Sequence, residues 1–100
     1  MPSVWCLGLL LLVPMLGAET VVFLGDSLTA GLGLAREEAY PALIARRLAD
    51  EGSAWQVINA GLSGETSAGG LRRIDWLLRQ QPDVLVVELG GNDGLRGYPV

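Results

Sequence analysis

Three short β-rich apolar runs, residues 20–24, 55–60 and 84–89, divide the chain, and each breaks at once into a glycine-rich polar turn. Helical patterns fill the two intervals. Such strand–helix alternation predicts an α/β fold in which crossover helices connect a parallel sheet. The first helix is expected around Tyr40, Leu43, Ile44 and Leu48 at helical spacing, with Glu37 and Glu38 at its start, Pro41 in its first turn and Gly52 past its end. The second is expected from about residue 69 to 81, with Leu71, Ile74, Leu77 and Leu78 on one face. Thr66 or Ser67 would cap it and Pro82 stop it.

In a parallel sheet the turns 25–31, 61–66 and 90–94 all sit at the carboxyl ends of the strands. Ligands of open α/β sheets bind outside those ends, where the strand order reverses. A flavodoxin-like order 2-1-3 places that crevice between the first and third strands, so that Ser27 and Asn92 face each other across it with Gly64 close by. A serine where a buried strand breaks into a glycine-flanked turn is held with its hydroxyl exposed, as a nucleophile must be. The backbone N–H groups of Ser27 and Gly64 and the side-chain amide of Asn92 can then serve as oxyanion donors. Each residue also has a plain structural reading. Asp26 or Ser27 can cap a helix, Asn92-Asp93-Gly94 can be only a turn, and Gly64 only a turn glycine. The coincidence of three special turns at one sheet end favours chemistry. A serine hydroxyl needs a base to take its proton, and the chain of 100 residues contains no histidine.

Residues 1–18 carry no charged side chain, have an apolar heart from Leu7 to Val13, and end in Leu16-Gly17-Ala18, where a signal peptidase could cut. They read as an export signal, although no Lys or Arg precedes the apolar stretch. That stretch is shorter than the roughly 20 residues of a spanning helix and is interrupted by Pro14, so no stable membrane span is expected after cleavage. Cys6 lies within this leader, which leaves residues 19–100 without a disulfide or a thiolate metal site. The predicted location is the periplasm or the medium. The net charge is −4 and all seven basic residues are scattered arginines, so the chain offers no basic footprint for nucleic acid.

The segments Val22-Phe23-Leu24-Gly25-Asp26-Ser27-Leu28-Thr29-Ala30-Gly31, Val57-Ile58-Asn59-Ala60-Gly61-Leu62-Ser63-Gly64-Glu65-Thr66-Ser67 and Val87-Glu88-Leu89-Gly90-Gly91-Asn92-Asp93-Gly94-Leu95-Arg96-Gly97 resemble the first three blocks of the GDSL, or SGNH, hydrolases. The third is most similar to exported bacterial arylesterases and acyl-CoA thioesterase/lysophospholipases. The resemblance implies a three-layer α/β/α domain and a cofactor-free serine esterase acting on esters, thioesters or lysophospholipids. It also implies Ser27 as nucleophile, Gly64 and Asn92 in the oxyanion hole, and Asp26 as a structural residue. The family's Asp-x-x-His block is absent, and Asp75-Trp76-Leu77-Leu78 does not replace it. The chain therefore reads as the N-terminal part of a single SGNH domain, about three strands of it, inactive without its base.

Two other readings compete. Asp26, Glu88 and Asp93 near strand ends could serve a Mg²⁺-dependent phosphoryl-transfer or receiver-like domain, but the chain has no lysine as phosphate partner. A secreted binding module without catalysis is the second.

Overall fold

A computed structural model describes residues 19–99; the leader 1–18 and its expected cleavage lie outside the described residues. Strand β1 (Thr20–Gly25) runs through the middle of a three-stranded parallel sheet of order β2-β1-β3, with β2 (Gln56–Gly61) and β3 (Val84–Glu88) on either side. Burial follows from that position: every residue of β1 after Thr20 is buried. This accounts for its unbroken apolar run, since a central parallel strand is covered on both faces.

Between the strands lie α1 (Ser27–Ala30), a 3₁₀ turn (Arg36–Glu38), α2 (Tyr40–Asp50) and α3 (Ser67–Leu78), and α4 (Gly91–Arg96) follows β3. The chain crosses from β1 to β2 in one direction and from β2 past β1 to β3 in the other. Right-handed crossovers in opposite directions place their helices on opposite faces, which gives three layers. The side chains agree with this. Val22 and Leu24 pack with Leu77 of α3, joined by Ile58, Ala60, Leu85 and Leu89. On the opposite face Phe23 meets Tyr40 of α2 edge to face, ring centroids 5.5 Å apart.

The three-layer α/β expectation and the strand order therefore hold, and the differences are local. Glu37 and Glu38 form their own 3₁₀ turn rather than the start of α2, because Ala39 is extended at ψ 145° and α2 begins only at Tyr40, with Pro41 in its first turn. The α3 helix starts two residues earlier than expected, capped by Thr66, whose Oγ1 accepts from the Gly69 N–H at 3.2 Å. Of its four expected core residues only Leu77 is buried, while Ile74 is half-buried and Leu71 and Leu78 are exposed. Leu43 and Ile44 of α2 are likewise exposed. The edge strand β3 leaves Val84, Val86 and Val87 accessible. No helix among the described residues is long and apolar enough to cross a membrane.

Candidate active site

The sheet register builds the site. Gly25 pairs with Gly61 on one side and with Glu88 on the other, so the three turns leave the sheet from a single row. Gly61 must be glycine here, since a Cβ would run into the backbone of Thr29 and Ala30. Hydrogen bonds then tie turn to turn. The Leu62 N–H donates to the Gly25 carbonyl at 2.9 Å. Asn92 Nδ2 donates to the Glu65 carbonyl at 2.9 Å, and Arg96 Nη2 to the Gly64 carbonyl at 3.1 Å. Asp93, buried on α4, takes the Ser67 N–H at 2.8 Å and the Ser67 hydroxyl at 2.7 Å.

Of the two caps allowed by the sequence, Asp26 is the one used. Its Oδ1 accepts the Leu28 N–H at 3.0 Å, and Ser27 becomes the first helical residue. The half-buried Ser27 hydroxyl makes no hydrogen bond among the described residues. Its backbone N–H lies in the first turn, where an α-helix has no acceptor of its own. Gly31, left-handed at φ 84°, closes α1 after one turn.

Gly64 is left-handed at φ 85°, a conformation that costs a residue with a Cβ but not glycine. The half-buried Asn92 uses one amide proton on Glu65, which leaves the second for a ligand. The site thus places a serine hydroxyl, a helix-start N–H, a glycine turn and a side-chain amide on adjoining, tethered turns. Backbone N–H groups and side-chain amides are the kinds of donor that stabilise a negatively charged tetrahedral centre. Asp75, exposed on α3, has no part in this set.

Sequence reasoning missed the residues that hold the turns. Asn59 brackets α1 and the second turn: its Nδ2 donates to the Thr29 carbonyl at 2.9 Å and its Oδ1 accepts the Gly61 N–H at 2.8 Å. Glu65, which is buried, accepts Arg73 Nε at 2.7 Å, while the same guanidinium reaches the Ala60 carbonyl at 3.0 Å. A polar residue inside an apolar run, as at Asn59 and Glu88, was the available signal.

The carboxylates of the phosphoryl-transfer reading are committed to protein donors. Asp26 caps α1, Asp93 holds Ser67, and Glu88 Oε1 accepts from the Thr29 hydroxyl at 2.9 Å. No group of three or more His, Cys, Asp or Glu suited to a metal ion occurs among the described residues. The Ser67 hydroxyl, followed by the Ser67 N–H, holds the Asp93 carboxyl below the usual carboxylate range despite its burial.

Residues 23–100 match the GDSL-like lipase/acylhydrolase family model. The chain belongs to this family. Among related GDSL-like proteins, the esterase TesA of Pseudomonas aeruginosa is 52% identical over 93 residues, which are 92% of this chain and 46% of TesA. Thioesterase 1/protease 1/lysophospholipase L1 of Escherichia coli K12 is 49% identical over 82 residues, 81% of this chain and 38% of the relative. The crystal structure of TesA superposes with a TM-score of 0.78 at 51% identity, covering 81% of this chain and 46% of that one. The psychrotrophic esterase EstA from Pseudoalteromonas, inhibited by monoethylphosphonate, superposes with a TM-score of 0.76 at 49% identity, covering 81% and 45%. The chain thus spans less than half the length of these GDSL-like relatives.

Burial first, and then the hydrogen bond with the Asp26 carboxyl, pushes the Glu88 carboxyl above its ordinary range. A carboxyl with a raised folded-state pKa stabilises the fold fully below the unfolded value, and that contribution is lost as pH rises through the folded value. Glu88→Gln keeps an acceptor at this position without a charge. Its melting temperature relative to wild type is expected to rise between pH 4 and pH 7. A pH-independent difference in thermal melts would contradict the assignment.

Proposed function

We propose that the full-length protein is an exported serine hydrolase of carboxylic esters and thioesters. The observation that supports this most strongly is the row of Gly25, Gly61 and Glu88, which delivers Ser27, Gly64 and Asn92 to one end of the sheet on mutually bonded turns. Ser27 Oγ attacks the substrate carbonyl carbon, and its proton passes to a base. The oxyanion that forms is held by the N–H groups of Ser27 and Gly64 and the amide of Asn92. Collapse expels the alcohol or thiol, which takes up the proton, and leaves Ser27 acylated; water then releases the acid by the reverse sequence. The base and its orienting carboxylate are assigned to the part of the family domain that this chain does not span.

The named activities of the relatives, esterase, arylesterase and thioesterase/lysophospholipase, suggest the substrate range. Export by the leader 1–18 would bring the enzyme to lysophospholipids, aryl esters and short acyl esters rather than to cytoplasmic acyl-CoA. Purified full-length protein is expected to hydrolyse p-nitrophenyl esters and to release fatty acid from lysophosphatidylcholine without an added metal or cofactor. Background rates on every such substrate would refute this function.

A further inference from the structure

We propose that Glu88, linked through Thr29 to Tyr40, is a positioning residue that holds the nucleophile turn for catalysis; this inference rests on Ser27 being the nucleophile. The α1 helix is one turn of four residues, far below the length at which a helix holds itself together. Thr29 is its only buried residue, and Leu28 beside the serine is 72% exposed. Apolar packing therefore gives α1 little anchorage. Polar contacts hold it instead.

The Asp26 N–H, immediately before Ser27, donates to Glu88 Oε1 at 3.4 Å. The Thr29 hydroxyl, two residues after Ser27, donates to the same oxygen at 2.9 Å. Thr29 has a single hydroxyl proton, so the Tyr40 hydroxyl must be the donor in its 2.7 Å contact with Thr29 Oγ1. The chain of bonds therefore runs from α2 through α1 to the end of β3 and grips the nucleophile from both sides. Gly25 leaves the necessary space. A Cβ there would collide with the Thr29 hydroxyl and come within 3.0 Å of Glu88 Oε1. Asn59 holds the Thr29 carbonyl independently, so losing Glu88 would loosen the turn rather than dissolve it.

A displacement of a reacting group by about 1 Å can cost roughly 100-fold in rate. In the full-length protein Glu88→Ala is expected to lower kcat for p-nitrophenyl ester hydrolysis by roughly 10- to 100-fold with KM changed less than about threefold. Glu88→Gln, which keeps the accepting oxygen, is expected to restore kcat to within about threefold of wild type. If Glu88→Ala fails to fold, Thr29→Val removes the Thr29 bonds to Glu88 and Tyr40 with little change of shape while keeping the Asp26 N–H bond, and is expected to lower kcat in the same direction with KM changed less than about threefold. Amide hydrogen exchange reads the grip without catalysis. The Asp26 N–H should exchange at least about tenfold faster in Glu88→Ala, while Val22 and Leu24 at the centre of β1 stay protected. Wild-type kcat and wild-type exchange in the Ala variant, or a Gln variant as impaired as Ala, would overturn the proposal. Absent turnover in the wild-type protein would instead remove the esterase reading, and the exchange contrast would still decide whether the link holds α1.

Discussion

Ser27→Ala in the full-length protein is expected to lower p-nitrophenyl ester turnover by roughly four to six orders of magnitude, the range found when a serine nucleophile or its partner is removed from a catalytic set. The expectation is this large because the rest of the nucleophile turn offers no free hydroxyl to take over the attack. Among the described residues the other hydroxyl of the nucleophile turn, that of Thr29, is buried with its oxygen engaged by Glu88 and Tyr40. The fold should be indifferent to the change. Asp26, not Ser27, caps α1, and alanine is a good helix former, so stability should move by no more than about 0.5 kcal/mol. Turnover within tenfold of wild type, with a normal melting curve, would remove Ser27 from the mechanism.

Asn92→Ala is expected to lower kcat by about 100- to 1,000-fold, the typical effect of losing one oxyanion donor. In the proposed mechanism the amide proton left over from the Glu65 bond would meet charge that exists only in the transition state, so kcat should fall while KM changes little. Loss of the bond to Glu65 adds a separate, smaller effect on stability of about 1 kcal/mol. Steady-state kinetics beside a thermal melt separates the two contributions. A loss of stability with kcat changed less than about threefold would make Asn92 a turn residue and no more.

Most of the frame was legible in the sequence, for a physical reason. A central parallel strand must be apolar on both faces, and a strand that ends in Gly-Asp-Ser cannot continue its ladder, so the run 20–24 and its turn define both β1 and the position of Ser27. Strand order did not follow from those rules: the flavodoxin-like order 2-1-3 was a condition, and the sheet has it. Helix faces were less legible: Leu71 and Leu78 have the spacing of a core stripe, yet only Leu77 is buried against β1. The tethers were not legible at all. Glu88 meets Thr29 across 59 residues and Asn92 meets Glu65 across 27, and these pairings depend on register, which alternation does not specify. Asp93 shows the cost of that gap. By residue type it suited a metal ligand, and only the fold reveals Ser67 beside it.

Covalent labelling tests the central claim most directly. A fluorophosphonate probe, whose phosphorus takes the place of the substrate carbonyl, should modify the full-length protein at one position, and peptide mass spectrometry should place the adduct on Ser27. The label should vanish in Ser27→Ala and form more slowly in Asn92→Ala. An adduct on another residue, or labelling that persists in Ser27→Ala, would contradict the assignment of this turn as the nucleophile's seat.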